Sequence, residues 1–433
     1  MLDIKFIRDN AEAVQTNAIN KGYKTVDINS LLKLDDERRD LQTKADELRQ
    51  KRNANVAQTK GVRPTDEQIA EGKSIKEQLG NIESSFKEVD EKYIDLLKKV
   101  PNMALSDVPI GLTENENVIT KTVGEPTKFD FKPRNHADVA ALHGWIDKER
   151  AAKVSGSRFA YIEGDMVKLQ FAIIQFVINT LSDEAKIKEI VAKAGLNIST
   201  KPFMPILPPL MIRTDMYDAM DRLEPRDERY KLEGDDLWMQ GSAEHVLGSM
   251  HYGETFTESQ LPVRYLGYAT SFRREAGTYG KDMEGIFRMH QFDKLEIESF
   301  SVAENGLNEH LLFVAVQEYL LSQLGLPYRV IQKCTFDIGK PNARGVDMEA
   351  WLPGQDKYRE THTADYMTDY QSRRLNTRVR RESGNLELVH TNDATAFALG
   401  RIMIAIIENN QTADGQVNVP AVLQQYLCGR TIL

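Results

Sequence analysis

The chain has 433 residues, of which 41% are hydrophobic and 28% charged, and it is long enough for roughly two or three domains with apolar cores. No apolar run approaches the ~20 residues of a transmembrane helix, and the charged start is unlike a secretory signal. The net charge of −9 argues against a globally basic nucleic-acid binder but leaves room for a local basic patch. The only cysteines, Cys334 and Cys428, are too few for a disulfide framework or a multi-cysteine zinc site. These features predict a soluble cytoplasmic protein that does not enter a membrane.

Residues 1–110 have the pattern of a helical arm. One leucine run has a seven-residue spacing, at Leu34, Leu41 and Leu48. A second run alternates spacings of four and three, at Ile75, Leu79, Ile82, Phe86, Val89, Tyr93, Leu96 and Val100. This ~3.5-residue period is typical of a coiled-coil seam. The polar stretch 53–62 and Pro64 separate the runs, and Pro101 ends the second. The sequence therefore predicts an N-terminal antiparallel coiled-coil hairpin.

Basic residues cluster where the tip of this hairpin is expected. They are Arg49, Lys51, Arg52, Lys60 and Arg63. A solvated helix end explains such a cluster, and so does a surface that contacts phosphates. Charge alone leaves both interpretations open.

A linker and a mixed domain follow the arm. Residues 111–135 predict the linker, and 136–433 predict the second domain. Helical periodicity covers 136–155, 166–194, 307–324 and 394–408, and strand patterns cover 263–269, 287–298, 328–335 and 386–391. Because neighbouring strands do not alternate with helices as in βαβ units, the predicted fold class is α+β, with an antiparallel sheet flanked by helices.

The segment 271–298 concentrates the chemistry of this second domain. Strand alternation places Arg273 and Glu275 on one face. It also places charge around one aromatic ring on the returning strand, at Arg288, His290, Phe292, Lys294 and Glu296. The pattern fits the solvated side of a sheet. It also fits a nucleotide site, because arginine suits a phosphate and a flat ring suits a base.

Two further places carry candidate ligands. Glu360 and Thr363 offer two oxygens to a hard cation such as Mg²⁺. Arg401 interrupts an apolar helix, where an unpaired charge is costly. A buried ion pair explains Arg401, and so does an anionic or aromatic ligand.

Taken together and in this order, these segments resemble the signature motifs of class II aminoacyl-tRNA synthetases, and the whole chain resembles bacterial seryl-tRNA synthetases. The resemblance rests on the MLDIKFIRDN start, the arm, GSRF at 156–159, FRREAG at 272–277, HQFDKLE at 290–296, EAWLPGQDKYRE at 349–360, DYQSRR at 369–374 and LGR at 399–401. It covers 1–433 and makes 136–433 the expected catalytic domain.

The family activates serine with ATP and transfers it to tRNA, so the resemblance implies an ATP site. Arg273 would bind the α-phosphate and the substrate carboxylate as the catalytic residue. Glu275 would contact adenine, Phe292 would stack on it, and Arg401 would close its other face or reach the γ-phosphate. The implied ATP-binding set is Arg273, Arg274, Glu275, Phe292, Glu360, Thr361, His362, Thr363 and Arg401.

The resemblance also implies a serine site, made of Ser242, Ala243, Glu244, Arg273, Glu296 and Thr395. Glu244 would hold the amino group of serine. Glu296 would accept a hydrogen bond from the serine hydroxyl, and Thr395 would help to hold it. Such a pocket rejects alanine, because alanine would leave its polar groups without partners.

The predicted Mg²⁺ ligands match the family pattern with one substitution, whereas three segments depart from it. Glu360 and Thr363 fall on the family's Mg²⁺ ligands, with Thr in place of the usual Ser. The segments 217–230, 362–366 and 393–395 depart from the family pattern. A shifted amino-acid preference therefore stays open.

The resemblance gives the arm and one apolar segment partners as well. The arm of the family contacts the long variable arm of tRNA-Ser, and selenocysteine tRNA stays open as a second partner. The basic tip residues then become expected phosphate contacts. Phe203–Met216 resembles the first class II motif, which builds a homodimer interface.

The leading prediction is a serine–tRNA ligase, and two alternatives remain. One is a class II amino-acid ligase that charges another amino acid or a carrier protein, although the full-length arm favours a tRNA substrate. The other is an inactive RNA-binding paralogue, which would be expected to lose Arg273, Glu275, Glu360 or Arg401. All four are present.

Overall fold

A computed structural model describes residues 1–58, 63–276 and 285–433. The chain forms two compact units, Met1–Met103 and Ala104–Leu433. Within the described ranges, no helix has both the length and the apolar character needed to cross a membrane.

The described part of the first unit is helical. Its helices are α1 Ile4–Asp9, α2 Ala11–Asn20, α3 Ile28–Gln58 and α4 Asp66–Lys99. The last two are 31 and 34 residues long, which is about 50 Å at ~1.5 Å per residue. Thr65 and Gln68 form a reciprocal capping box at the start of α4. The predicted hairpin of two long helices is confirmed.

The seam of this hairpin is apolar near the tip and mixed near the base. The apolar cluster contains Ala45, Leu48, Ile75 and Leu79. Nearer the base, the Arg38 guanidinium lies 4.4 Å from the centroid of the Tyr93 ring and 3.5 Å from Asp90. Leu97 is buried, whereas Leu96 is partly exposed. A helix has ~3.6 residues per turn, so a repeat of ~3.5 drifts around its surface.

The second unit contains shorter helices and every strand that the structure describes. The helices are α5 His136–His143, α6 Lys148–Ser155, α7 Asp165–Leu181, α8 Glu184–Lys193, α9 Thr214–Ala219, α10 Glu244–Gly248, α11 Gly306–Gln323, α12 Tyr370–Leu375, α13 Leu399–Asn410 and α14 Ala421–Gln424. The strands are β1 Val118–Val123, β2 Ile146–Asp147, β3 Tyr161–Ile162, β4 Met204–Ile206, β5 Met211–Arg213, β6 Leu237–Met239, β7 Thr255–Thr257, β8 Val263–Phe272, β9 Gln291–Ser301, β10 Tyr328–Gln332, β11 Arg344–Leu352, β12 Lys357–Thr368, β13 Arg378–Arg380, β14 Leu386–Leu388 and β15 His390–Ala398.

An 8-stranded sheet organises this unit, in the order β1-β10-β11-β12-β15-β9-β8-β4. Its neighbouring strands are antiparallel except for the parallel pair β4 and β8. Apolar side chains of α7, α11 and α13 share one core with the sheet. This architecture confirms the predicted α+β class.

Strand register brings acidic side chains together in the middle of the sheet. Thr395 on β15 lies opposite Glu296 on β9, and Asp393 lies opposite Glu298. On its other side, Asp393 lies opposite Asp365 of β12. Three neighbouring strands therefore contribute carboxyl groups to one region.

Three elements differ from the sequence prediction. The predicted linker contains β1, whose valine, isoleucine and threonine residues favour an edge strand that pairs with β10. The strand expected from residue 287 begins at Gln291. Residues 394–398 complete β15, and the helix begins at Leu399. The end of β15 is buried on both faces, and such an apolar run has no period that separates strand from helix.

Candidate active site

A cavity of about 660 Å³ lies among the ends of β8 and β15, the start of β9, strand β12 and the start of α13. The sequence-predicted residues that line it are Arg273, Glu275, Phe292, Glu360, Thr361, Thr363, Thr395 and Arg401. The fold therefore brings residues from four distant segments into one pocket.

Arg273 follows the last residue of β8 and is fixed from two sides. Its backbone N–H donates to the carbonyl of His290 at 3.0 Å, and its Nε donates to the carbonyl of Gly241 at 2.8 Å. The guanidinium carbon lies 5.4 Å from the centroid of the Phe292 ring. An arginine held over a partly exposed aromatic ring is suited to a ligand that combines a phosphate with a flat base.

Glu275 reaches the pocket from a turn rather than from a strand. The β8–β9 ladder ends where Phe272 pairs with Gln291, so the expected alternation of Arg273 and Glu275 along β8 is wrong. Glu275 has a positive φ of 53°, and its carboxylate forms an ion pair with Arg288. That pair fixes the carboxylate at the cavity wall.

Arg401 and Glu360 form an ion pair across the pocket. Arg401 Nη1 lies 2.8 Å from Glu360 Oε1 and donates to the Glu360 carbonyl at 3.0 Å. Although desolvation favours the neutral acid, Arg401 and Lys333 hold the pKa of Glu360 below its usual value, with the side chain 51% exposed. The guanidinium carbons of Arg401 and Arg359 lie 4.8 and 3.8 Å from the centroid of Phe287. Phe287 also lines the cavity.

Of the two predicted Mg²⁺ ligands, the Glu360 carboxylate fits the ion, whereas the Thr363 hydroxyl already accepts a hydrogen bond within the protein. Glu360 presents a carboxylate at the cavity, the kind of hard oxygen ligand that Mg²⁺ prefers. The Thr363 hydroxyl accepts a hydrogen bond from Lys333 Nζ at 3.0 Å. That ammonium also lies 3.1 Å from Asp365 and 3.4 Å from Asp347. A divalent ion on Thr363 would face the buried ammonium of Lys333, so Glu360 is the better protein ligand.

Behind the cavity, Ser242 links the predicted serine-binding acids. Lys294 Nζ donates to Ser242 Oγ at 3.2 Å and pairs with Glu296. Ser242 Oγ in turn donates to Glu296 Oε2 at 3.2 Å. Glu296 is fully buried, which raises the pKa of its carboxyl group. Its Oε1 has no hydrogen-bond partner among the described residues, so this oxygen is suited to receive a hydroxyl donor.

Glu244 begins α10 and is held ionised by the charge of Arg222 and a hydrogen bond with His245. Its Oε1 lies 2.9 Å from Arg222 Nε and 3.5 Å from His245 Nε2. Burial opposes its charge, but Arg222 and His245 hold the pKa of Glu244 well below its usual value. Ala243 is fully buried and packs with Leu247. Ala243 thus packs the start of α10 and offers no polar side-chain group to a ligand.

Sequence reasoning did not select Arg222, Asp393 or Glu298 as site residues. Arg222 lies 3.2 Å from Asp393 Oδ2, and Glu298 is fully buried beside them in register. The signals were the charged segment 217–230 and the aspartate within 393–395, both noted as departures from the family. Their proximity depends on strand pairing between distant segments, which a single sequence does not display.

Two of the predicted ATP-binding residues are not among the residues that line the cavity. His362 is 1% exposed, and its Nδ1 lies 2.8 Å from Thr361 Oγ1. Burial lowers the pKa of His362 to about 3. The Arg274 guanidinium carbon lies 5.7 Å from the centroid of the Tyr230 ring.

In the arm, the described basic residues near the tip fall into two groups. Arg49 is paired with Asp46 at 2.8 Å and with Glu83 at 2.9 Å. Lys51, Arg52 and Arg63 are exposed. Lys60 lies outside the described residues. The exposed cations are the better candidates for contact with phosphate.

Comparison with known proteins identifies two family domains in this chain. Residues 1–104 match the seryl-tRNA synthetase N-terminal domain, and residues 229–410 match the class II tRNA synthetase core domain (G, H, P, S and T). The serine–tRNA ligase of Methanocella arvoryzae is 37% identical over 99% of both chains. The crystal structure of seryl-tRNA synthetase from Pyrococcus horikoshii complexed with ATP is 35% identical, with a TM-score of 0.88 over 100% of this chain and 99% of that one.

A second solved structure extends this similarity to a eukaryote. The cytoplasmic serine–tRNA ligase of Naegleria fowleri in complex with AMP is 28% identical, with a TM-score of 0.85 over 100% of this chain and 98% of that one. The antiparallel sheet and the core-domain match define a class II aminoacyl-tRNA synthetase. Within that class, full-length identity and the N-terminal domain show that the chain belongs to the seryl-tRNA synthetase family.

Proposed function

We propose that this protein is a serine–tRNA ligase, which uses ATP to activate serine and then charges tRNA-Ser. The observation that carries this proposal is the contact between the Arg273 and Phe292 cavity and the buried Ser242, Glu244 and Glu296 group behind it. Arg273 donates to the carbonyl of Gly241, next to Ser242, and Lys294, which lines the cavity, pairs with Glu296. A nucleotide end and a small polar end are what the activation of serine requires.

In the first step, a carboxylate oxygen of serine attacks the α-phosphorus of ATP. The bond from this phosphorus to the bridging oxygen of the β-phosphate breaks, and pyrophosphate leaves. Arg273, held by Gly241 and beside Phe292, is placed to stabilise the charge on the α-phosphate in the transition state. In the second step, a ribose hydroxyl of the terminal adenosine attacks the acyl carbon, and AMP leaves.

Mg²⁺ is the proposed companion of ATP. Glu360 would hold it together with phosphate oxygens, because Mg²⁺ usually takes few protein ligands beside substrate phosphates. When bound, the ion neutralises charge on the triphosphate. Thr363 remains a weaker candidate ligand because its hydroxyl accepts from Lys333.

The proposed macromolecular arrangement follows the family. Residues 1–110 would bind tRNA-Ser through the arm, 111–135 would connect it, and 136–433 would catalyse both steps in the cytoplasm. Selenocysteine tRNA is a second proposed substrate, checked by the same charging assay. A homodimer is supported by exposed apolar side chains within Phe203–Met216, where Leu207 is 79% exposed and Met204 is 61% exposed.

The test is ATP–pyrophosphate exchange with each of the twenty amino acids and Mg²⁺, followed by charging of tRNA-Ser. We expect exchange with serine alone, and transfer to tRNA-Ser. Exchange with a different amino acid would identify a ligase of shifted specificity. Exchange with serine but transfer only to a carrier protein would identify the carrier ligase. No exchange with any amino acid would contradict the proposal and favour the inactive paralogue.

A further inference from the structure

Arg222 stands at the amino-acid end of the site, in the loop that follows α9. Its Nε lies 2.9 Å from Glu244 Oε1, and its Nη2 lies 3.2 Å from Asp393 Oδ2. The backbone carbonyl of Arg222 accepts hydrogen bonds from Arg229 Nε at 3.2 Å and from Nη2 at 3.1 Å. The side chain is only 16% exposed. The guanidinium is therefore fixed between acids from two different elements.

These acids belong to a dense group of buried carboxylates. Single oxygens of Glu244, Glu296 and Asp393 all lie within 4.8 Å of one another. Glu298 is fully buried next to them, and neither of its oxygens has a hydrogen-bond partner among the described residues. Buried like charges this close repel strongly unless cations or protons neutralise them.

Two internal cations divide the task of neutralisation. Lys294 pairs with Glu296, while Arg222 contacts Glu244 and Asp393. Glu244, the acid expected to bind the substrate ammonium, is thus already paired with the guanidinium of Arg222. If Arg222 were uncharged, the same pocket would hold an excess of negative charge and would favour a second positive group on the ligand.

Resting on the proposed function, we propose that Arg222 is a specificity-determining residue of the amino-acid pocket. By neutralising Glu244 and Asp393, it leaves the pocket complementary to one ammonium group, the α-ammonium of the substrate. Amino acids with a neutral polar side chain are accepted. Amino acids whose short side chain carries a second ammonium group are excluded by repulsion from the guanidinium. Arg222 acts through the two acids and touches no reacting atom.

The test compares serine with L-2,3-diaminopropionate, which carries an amino group in place of the serine hydroxyl. Exchange is measured at about pH 6, below the usual pKa of an amino group. In Arg222→Met, we expect the ratio of kcat/KM for diaminopropionate to kcat/KM for serine to rise by about tenfold or more. Arg222→Lys keeps a positive charge, so its ratio is expected to stay close to that of the wild type.

A purely structural role for Arg222 would lower both kcat/KM values equally and leave their ratio unchanged. That result would overturn the inference. Wild-type exchange with serine is a separate readout, and its absence would count against the proposed function instead. An unchanged ratio in an active Arg222→Met enzyme counts only against the role of Arg222.

Asp393→Asn provides a second variant in case Arg222→Met does not fold. It removes one acid beside Arg222 and keeps the shape of the side chain. Arg222 then keeps Glu244 as its remaining acidic partner, so less negative charge is left for the substrate ammonium, and KM for serine should rise by about tenfold while KM for ATP stays near the wild-type value. An unchanged KM for serine would contradict the charge argument.

Discussion

Side chains with predicted roles are held at the site by oppositely charged neighbours. Glu360 is paired with Arg401, Glu275 with Arg288, and Glu296 with Lys294. Such pairs restrict the rotamers of long side chains before any ligand arrives, so less conformational entropy is lost on binding. The same low-dielectric surroundings penalise any charge without a partner. Removing one partner of the buried Lys294–Glu296 pair would therefore cost stability as well as chemistry.

His362 gives a residue-scale prediction for the effect of pH on stability. Burial lowers the pKa of its imidazole to about 3, against an ordinary value of 6.5. Between these values the unfolded chain binds a proton and the folded chain does not. The free energy of unfolding therefore falls as the pH falls below about 6.5, and at pH 5 the loss from this residue is about 2 kcal/mol.

In His362→Gln, this contribution disappears. The free energy of unfolding, measured by urea titration, should fall by about 2 kcal/mol less in the variant than in the wild type when the pH is lowered from 7 to 5. His245, whose pKa burial lowers to about 4, adds a similar loss to both proteins and cancels in the comparison. An equal loss in both proteins would contradict the buried, neutral state of His362.

Among the elements, the long helices were predictable and the catalytic loops were not. The apolar period of the arm predicts both helices from local sequence, although individual seam positions differ. Leu97 is buried where Leu96 was expected, and Leu34 and Leu41 are only partly buried. Most of the predicted ATP-binding residues line one cavity. Their placement was predictable because the motifs that carry them occur in the order typical of the family. Arg222 could not be placed, because its contacts with Glu244 and Asp393 require strand register and a loop conformation that no local pattern specifies.

At the tip of the arm, we expect the exposed cations to bind the tRNA backbone. The double variant Lys51→Glu with Arg52→Glu should weaken charging of tRNA-Ser and leave serine-dependent pyrophosphate exchange unchanged. Two lost phosphate contacts should reduce the slope of log KM for tRNA against log salt concentration by about 2. Charging kinetics at several salt concentrations measure both effects.

The matched control for the tip is Lys87→Glu with Lys92→Glu, which makes the same charge change at exposed positions farther along α4. We expect the control to keep a salt slope close to that of the wild type. If both double variants weaken charging equally, the effect is one of net charge, and the assignment of the tip is wrong.

At the scale of the whole molecule, one exposed apolar surface is the best candidate for self-association. Met204, Leu207, Leu210 and Met211 are 61, 79, 38 and 42% exposed, and they lie close together in sequence on and between β4 and β5. Clustered apolar exposure of this kind usually marks an interface. Two copies that meet through these side chains would remove this apolar area from water.

Leu207→Asp tests the homodimer directly. A carboxylate buried in an apolar interface loses hydration without gaining a partner, so the dissociation constant of the dimer should rise by about tenfold or more. Sedimentation velocity across a range of protein concentrations measures this shift. Val154→Asp is the matched control, because Val154 is 71% exposed and lies on α6, outside Phe203–Met216. A wild-type protein that sediments as a monomer would contradict the homodimer, and equal dissociation in both variants would place the interface elsewhere.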